Sequence, residues 1–265
     1  MTQRMDTVGT TVADAGGVTG APFSLGDWLD GSLFLDFDGT LVELADTPEA
    51  VIVAPGLVEV LGALQKKLGG RLAIVTGRPI EQIDAMLAPL KLAVAGVHGA
   101  ERRSADGSLH YAAAPSMLAM ASCAQALVAR YPDLRLEEKR GALAVHYRQA
   151  PQLGTLVKQA MREALEQCPG MVLLDGKMVV EVKPAGSTKG TALGDFMQEV
   201  PFAGHRPVFI GDDTTDEAGI AYAQQYGGLG VKIGAGSSAA WQRLATPQAL
   251  REALTQAATP LNEGY

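Results

Sequence analysis

Three short apolar runs, each ended abruptly by polar residues or by glycine, leave few folds open to this chain. They cover residues 33–35 before Asp36, 72–75 before Thr76, and 208–210 before Gly211. Runs of this length and composition are typical of strands buried on both faces of a parallel sheet. The sequence therefore predicts an α/β core.

A helix is predicted between the first two runs. Its apolar residues recur at helical spacing, at Leu57, Val60, Leu61, Leu64 and Leu68. The segment opens at Pro55 and closes at the glycine pair 69–70, as helices commonly do. Strand, helix and strand form the unit of a right-handed parallel crossover. Because ligands gather beyond the carboxyl ends of such strands, we expect Asp36, Thr76 and Asp212 in one pocket.

The middle of the chain, from about residue 106 to 184, changes character. Helical patterns occur near 117–130 and 153–166, and strand patterns occur at 134–138 and 142–148. Asp175-Gly176 between two apolar runs predicts a hairpin. Parallel-strand signals resume only after this segment, so we predict an α+β cap that is inserted into the core.

These patterns divide the 265 residues into four parts. We predict a flexible N-terminal tail at 1–24, the first part of the core at 25–105, the inserted cap at 106–185 and the second part of the core at 186–265. The predicted fold class is α/β, with a Rossmann-like parallel-sheet core and an inserted α+β cap. A core with a smaller insert suits a chain longer than the about 100–150 residues of a common single domain.

The chain has more acidic than basic residues, and this excess limits the kinds of molecule that it can bind. The formal net charge is −7, which disfavours nucleic acid and anionic membranes because both attract cationic surfaces. No run approaches the roughly 20 apolar residues of a membrane span, and the first 24 residues lack the apolar run of a signal peptide. We therefore predict a cytoplasmic protein that binds neither nucleic acid nor membrane, and an anionic substrate would need locally placed cations.

Asp36 and Asp38 lie two positions apart at the end of the first run, where strand alternation sends both side chains to the same side. One carboxylate can then attack phosphorus in line while the other protonates the leaving oxygen, and Mg²⁺ offsets the repulsion between the negative groups. A simple turn is the alternative, since Asp and Gly favour turns. The buried strand before the pair favours a site.

The third run leads into an acidic segment, residues 211–217. Such a cluster after a buried strand is energetically poor unless a hard cation lies there, and Mg²⁺ uses a few carboxylates together with water and phosphate oxygens. The alternative for Asp216 and Glu217 is an acidic first turn of a helix. Asp212, which comes earlier, is the stronger candidate for a metal ligand.

Two further segments offer groups for a phosphate. Thr76, Gly77 and Arg78 follow the second run and supply a hydroxyl, a main-chain amide and a guanidinium. Lys189 opens a predicted helix, either as a phosphate ligand or as an exposed lysine of the first turn. Neither segment is decisive alone.

Taken in chain order, D-x-D-G-T, T-G-R, a lysine at a helix start and G-D-D-x-x-D resemble the four motifs of the haloacid dehalogenase superfamily. The resemblance covers about residues 30–105 and 186–240. It implies Asp36 as the nucleophile and Asp38 as the general acid and base. It also implies Thr76 and Lys189 on the phosphoryl group, Mg²⁺ on Asp36, Asp212 and the Asp38 carbonyl, and Asp213 and Asp216 behind these metal ligands.

Strand alternation also gives the predicted cap sheet two unlike faces. Leu143, Val145 and Tyr147 fall on one face, and Ala142, Ala144, His146 and Arg148 fall on the other. Glu181 and Lys183 likewise share a face of the hairpin. A face rich in such groups suits the recognition of many hydroxyls, and a solvated outer surface is the alternative.

Four segments of the chain resemble signature segments of the trehalose-6-phosphate phosphatases. They are residues 97–101, 138–141, 146–148 and 181–184. With them the resemblance extends over nearly all of residues 30–220. It implies that Glu181 and Lys183 contact glucose hydroxyls, and we extend the predicted substrate contacts to His98, Glu101, Arg140 and Arg148.

The predicted function is Mg²⁺-dependent hydrolysis of trehalose 6-phosphate to trehalose and phosphate, through an aspartyl-phosphate, in trehalose biosynthesis. The nearest alternative keeps this chemistry and changes the substrate to sucrose 6-phosphate or a hexose phosphate. The other alternative is a non-catalytic sugar-phosphate sensor or partner of the synthase. An association of an active enzyme with that synthase stays open.

Overall fold

The computed structural model describes residues 24–45, 47–113, 115–176 and 178–259. Residues 1–23 of the predicted tail therefore lie outside the described residues. The helices within the described ranges are too short or too polar to cross a lipid bilayer.

Strands and helices alternate through most of the described chain. The strands are β1 Ser32–Leu35, β2 Leu72–Val75, β3 Ala93–Gly96, β4 Glu101–Arg103, β5 Leu109–Tyr111, β6 Arg135–Lys139, β7 Ala142–His146, β8 Met171–Gly176, β9 Val179–Pro184, β10 Pro207–Gly211, β11 Leu229–Ile233 and β12 Gln242–Leu244. The α-helices are α1 Leu57–Lys67, α2 Ile80–Met86, α3 Leu118–Arg130, α4 Gly154–Leu165, α5 Lys189–Phe196, α6 Glu217–Gln225 and α7 Pro247–Ala258.

The larger sheet has the strand order β12-β11-β10-β1-β2-β3-β4-β5. Strands β12 to β3 are parallel, and β4 and β5 continue the sheet as antiparallel strands. The three predicted buried strands are confirmed as β2, β1 and β10, which are adjacent. In register, Leu35 lies beside Ile210 and Ile74, so the three strands end at the same edge of the sheet.

Helices cover both faces of this sheet, as the α/β prediction requires. Leu33 and Leu35 of β1 pack in an apolar cluster with residues of α1, α2 and α7. Phe34, between them, packs in a second cluster with residues of α5 and α6. This alternation is the physical reason why the predicted strands are apolar at every position.

A second sheet, with the order β6-β7-β9-β8, is antiparallel throughout. It lies between β5 and α5 in the sequence, and α3 and α4 share one apolar cluster with it. The predicted hairpin is confirmed as β8 and β9. Leu143, Val145 and Tyr147 belong to the apolar cluster, which confirms the predicted buried face of β7.

Candidate active site

Asp36, Thr76 and Asp212 follow directly after β1, β2 and β10, at the edge of the sheet where these strands end. Carboxylate oxygens of Asp36, Asp212 and Asp216 lie within 4.8 Å of one another. The ends of the first and third predicted strands therefore lie close together, and the prediction that Thr76 shares one pocket with Asp36 and Asp212 stays a prediction. Two of these acids are 176 positions apart in the chain (212 − 36), so the sheet alone brings them together.

Lys189 is the first residue of α5, and its ammonium lies between two buried acids. Its Nζ donates to Asp36 Oδ1 at 2.7 Å and to Asp216 Oδ1 at 2.6 Å. The lysine side chain is 3% exposed, against 6% for Asp36 and 0% for Asp216. The alternative of an exposed first-turn lysine is thus wrong: Lys189 is the charge partner of Asp36.

Thr40 joins the two acids that come from different strands. Its Oγ1 lies 3.2 Å from Asp36 Oδ2 and 3.2 Å from Asp212 Oδ1, and the residue is fully buried. One hydroxyl can donate only one hydrogen at a time, so the two carboxylates share it. Thr40 therefore helps to hold both oxygens on the same side of the pocket.

Asp216 accepts hydrogen bonds from three donors. The Lys189 ammonium is the first, and the main-chain N–H groups of Asp212 and Asp213 are the other two, each at 2.9 Å from Oδ2. Asp213 caps the same loop by accepting from the N–H of Thr215 at 2.7 Å, and its side chain is exposed. Asp36 and Asp212 are the two acids of the cluster that keep oxygens available for a ligand.

The cluster has more negative charge than one lysine can balance. Burial, together with the charge of Asp216, raises the pKa of Asp36 well above its usual range. Burial and the charges of Asp216 and Asp213 raise the pKa of Asp212 to about 6. Burial opposes the charged form of Lys189, yet Asp216 and Asp36 raise its pKa above the usual range. Hard carboxylate oxygens short of positive charge fit a cation such as Mg²⁺.

Asp38 follows β1 two residues after Asp36, and it binds Arg78. The guanidinium Nε donates to Oδ2 at 2.7 Å and Nη2 donates to Oδ1 at 2.8 Å, a bidentate pair. Arg78 also donates to Gln82 and to the Pro48 carbonyl, and its side chain is 10% exposed. The sequence predicted Arg78 as a phosphate ligand, whereas in this structure its charge is matched by Asp38.

Thr76 and Gly77 form the start of the loop that Arg78 ends. The buried Thr76 Oγ1 accepts from the Arg78 N–H at 3.1 Å, and the Thr76 carbonyl accepts from the His98 N–H at 2.9 Å. A Cβ on Gly77 would lie 2.8 Å from His98 Nε2, so the imidazole can pack there only against glycine. The loop therefore brings His98 beside the predicted phosphate-binding residues.

A chain of polar contacts connects this loop with the second sheet. The two carboxylate oxygens of Glu181, on β9, have different partners. Oε2 lies 3.3 Å from His98 Nε2, and Oε1 accepts from Lys139 Nζ at 3.3 Å. Lys139 of β6 also donates to the Gly77 carbonyl at 3.2 Å. Burial alone would raise the pKa of Glu181, but its hydrogen bond with His98 and the charge of Lys139 lower it to about 2.

Between the two sheets lies a cleft of about 230 Å³. Its polar lining residues are Asp38, Arg78, Gln82, Glu137, Lys139, His146 and Arg148. Glu137 accepts from His146 Nε2 at 2.9 Å, which lowers the pKa of Glu137. The cleft thus has the Asp38 carboxylate, next to the acidic cluster, in its lining. The second sheet contributes several side chains that can bind hydroxyls.

Three residues predicted to bind substrate have other partners here. Glu101 Oε1 accepts from the N–H of Ile80 at 2.6 Å and so caps α2. The buried Lys183 donates to the Ser187 carbonyl. The guanidinium of Arg140 lies 3.7 Å from the ring centre of Tyr111. Of the predicted set, His98, Glu181 and Arg148 lie at or beside the cleft and its polar contacts.

The sequence reasoning did not assign Thr40, Glu137 or Lys139 to the site. Thr40 lies within the D-x-D-G-T motif itself, so the motif could have indicated it. Glu137 and Lys139 are two positions apart on β6, and this alternation would have placed both on the polar face of the sheet. The core partner of Lys139, the Gly77 carbonyl, lies within the T-G-R motif, but the contact between the two segments depends on the fold.

Residues 34–249 match a family model described as trehalose-phosphatase. The trehalose-6-phosphate phosphatase of Escherichia coli (strain K12) is 43% identical over 214 residues, which are 80% of each chain. The C-terminal domain of trehalose-6-phosphate phosphatase from C. albicans shares the fold, with a TM-score of 0.74 at 22% identity over 86% of this chain and 92% of that one. A haloacid dehalogenase-like hydrolase from Bacteroides thetaiotaomicron also shares it, with a TM-score of 0.64 at 16% identity over 84% and 98%. The chain therefore belongs to the trehalose-phosphatase family.

Proposed function

We propose that this protein hydrolyses trehalose 6-phosphate to trehalose and phosphate, with Asp36 as the nucleophile. The observation that carries the proposal is the buried Asp36 carboxylate at the end of β1, held by the Lys189 ammonium and beside the Thr40 hydroxyl. Membership of the family supports the choice of substrate.

The reaction proceeds in two displacements. An oxygen of Asp36 attacks phosphorus, the bond from phosphorus to the sugar oxygen breaks, and Asp38 gives its proton to that oxygen. Water then attacks the aspartyl-phosphate, Asp38 takes a proton from the water, and the bond from phosphorus to Asp36 breaks. After the second displacement Asp36 is again a free carboxylate and Asp38 again carries a proton, as at the start.

The remaining loop residues bind and orient the phosphoryl group. Lys189 and the Thr76–Gly77 loop offer an ammonium, a hydroxyl and main-chain amides for its oxygens. Asp36, Asp212 and the Asp38 carbonyl would hold Mg²⁺, which supplies positive charge against the phosphate and the acids. Asp216 and Asp213 support the loop that carries Asp212.

Arg78 has to release Asp38 before that carboxyl group can reach the leaving oxygen. Both oxygens of Asp38 accept from the bidentate guanidinium in this structure. We propose that the phosphate of an entering substrate competes with Asp38 for Arg78. Arg78 would then bind the phosphate, as the sequence predicts.

We further propose that residues 106–185 act as a cap that closes over the sugar. Glu181, Lys139 and His98 lie together between the two sheets, and buried charged groups of this kind bind hydroxyls specifically. Closure would exclude bulk water during the attack by Asp36. The cytoplasmic location and an association with the synthase stay predictions.

The test is phosphate release from trehalose 6-phosphate, sucrose 6-phosphate and glucose 6-phosphate in parallel, with Mg²⁺, with a chelator, and with Asp36→Asn. We expect a metal-dependent preference for trehalose 6-phosphate and a loss of at least about 1,000-fold in Asp36→Asn. Similar rates on all three sugar phosphates would contradict the assignment of trehalose 6-phosphate as the substrate. No release from any of them would favour a non-catalytic sugar-phosphate sensor.

A further inference from the structure

Lys232 is a buried lysine that the proposed reaction does not use. It is the fourth residue of β11, and it is 5% exposed. Its neighbours Val231 and Ile233 point into the apolar cluster on one face of the sheet, so Lys232 lies on the opposite face. A charged group in such a strand is unfavourable unless it has a specific partner.

The partners of the Lys232 ammonium are main-chain carbonyls. It donates to the carbonyl of Asp212 and, at 3.2 Å, to that of Ile233. Among the described residues no carboxylate forms an ion pair with it. The side chain therefore does not serve to balance a single acid, and its strongest specific contact is with the loop after β10.

Asp212 is the residue of that loop whose carboxylate belongs to the acidic cluster. Its N–H donates to Asp216 Oδ2 at 2.9 Å, and its Oδ1 lies 3.2 Å from Thr40 Oγ1. The register that pairs Gly211 with Lys232 places the lysine beside this loop. With Lys232 on its carbonyl, Asp212 is held at its amide, its carbonyl and its carboxylate.

We infer that Lys232 is a positioning residue for the divalent cation: it fixes the main chain of Asp212, and so the direction of its carboxylate. The inference rests on the proposed function, since it concerns the same metal site. Partners that orient a metal ligand commonly change metal affinity by about 10-fold to 100-fold when removed.

The test measures binding of Mn²⁺, as a paramagnetic probe in place of Mg²⁺, to the full chain without substrate by electron paramagnetic resonance. Lys232→Met keeps the apolar stem and removes the charge, and we expect a Kd about 10-fold higher. Lys232→Gln keeps a donor without the charge and should give an intermediate increase. This variant also preserves the test if Lys232→Met does not fold.

Lys67→Met is the matched control. Lys67 also donates to two main-chain carbonyls, those of Ala257 at 2.7 Å and Thr259 at 3.2 Å, but it is an exposed residue at the end of α1 and these partners do not belong to the acidic cluster. Its loss should leave the Mn²⁺ Kd unchanged. If Lys232 had a purely structural role, Lys232→Met would lower the melting temperature without changing the Kd for Mn²⁺.

The outcomes separate the inference from the proposed function. A Kd that is unchanged in Lys232→Met, or in Lys232→Gln where the former does not fold, overturns the inference even if the melting temperature falls. Wild-type protein that binds no Mn²⁺ overturns both the inference and the proposed metal centre. A graded loss from lysine to glutamine to methionine, with the Lys67 variant unchanged, supports the inference.

Discussion

At Gly39 the main chain passes close to the acidic cluster. It has a φ of +76°, and a Cβ at this position would lie 2.2 Å from Asp212 Oδ2. Both its conformation and its surroundings therefore require glycine. Gly56 has nearly the same φ, +80°, but nothing lies within 4 Å of its Cβ position. The two glycines differ only in what surrounds them.

Substitution of these glycines by alanine separates backbone strain from damage to the site. Gly56→Ala should lose about 1 kcal/mol in the free energy of unfolding and keep its activity, because the left-handed conformation is the only cost. Gly39→Ala should lose more and should lose most of its phosphatase activity, since the new methyl group displaces Asp212. Urea unfolding and phosphate release measure both effects, and an active Gly39→Ala would contradict the proposed position of Asp212.

Lys183 tests whether the second sheet selects the sugar. Lys183→Ala should reduce turnover of trehalose 6-phosphate far more than turnover of a small aryl phosphate, because only the disaccharide reaches the cap. Since the ammonium binds the Ser187 carbonyl here, the variant should also be less stable, and both assays are therefore run well below its melting temperature. Equal losses on both substrates would mean that Lys183 acts through the fold alone.

Asp36 and its charged partner Lys189 were predictable as site residues because the first follows a recognisable strand and the second opens a helix. The partners of Glu101 and Lys183 were not, because a buried charged side chain can bind either a ligand or the main chain. Glu101 caps α2, and Lys183 binds a carbonyl of the turn before α5. Choosing between these roles needs the position of the other segment.

The start of α5 shows how a helix can direct a lysine into a buried acidic cluster. Thr188 is its N-cap: the hydroxyl accepts from the N–H of Thr191 at 3.0 Å, and the Thr191 hydroxyl accepts from the N–H of Thr188 at 2.9 Å. This reciprocal cap fixes the first turn, where Lys189 lies. At α7, Thr246 caps a helix in the same way, by accepting from Ala249 at 3.2 Å.

The two caps form a matched pair of substitutions. Thr188→Ala and Thr246→Ala should each lose about 1 kcal/mol of stability. Only Thr188→Ala should also lower kcat, by several-fold, because Lys189 then loses its fixed direction toward Asp36. Thermal unfolding and steady-state kinetics on both variants provide the check. A similar fall of kcat in both would show that the effect comes from general destabilisation.

The long helices and the central strands were predictable from their periodicity. The antiparallel extension of the large sheet was not, because β4 and β5 are three residues long and β5 is exposed at every position. Such strands have neither an apolar run nor a regular alternation. β4 is defined by its hydrogen bonds to β3, and β5 by its hydrogen bonds to β4, and the local sequence does not encode the position of either partner.

Charged side chains connect the two sheets, beside a small apolar cluster of Val97, Ala100 and Ala142. Lys139 and Glu181 meet the core at Gly77 and His98, and Arg135 Nη1 donates to Glu49 at 3.1 Å near the rim. The rim pair is more than half exposed and contributes little stability. Glu181, by contrast, is 13% exposed and couples the sheets through a buried charge.

Glu181 should make stability depend on pH in acid. Its folded-state pKa of about 2 lies below the ordinary value of 4.5, so its contribution is complete above about pH 4.5 and is lost as the pH falls toward 2. The wild type should exceed Glu181→Gln by up to about 3 kcal/mol at pH 7, and the difference should shrink between pH 5 and pH 3. Urea unfolding of both proteins across this range is the measurement. A difference that does not change with pH would contradict the ionised contact.

The central position of β1 has a consequence for synthesis of the chain. Asp36 and its partner Lys189 are 153 residues apart, with the whole second sheet between them. From the end of β2 at Val75 to the start of β10 at Pro207 a ribosome adds 132 residues (207 − 75), which takes roughly 7 to 26 seconds at about 5–20 residues per second. For this time the nascent β1 has β2 available beside it but lacks β10, so one edge of this buried strand stays open. The length of the segment 106–185 thus sets how long chaperones have to protect the growing polypeptide.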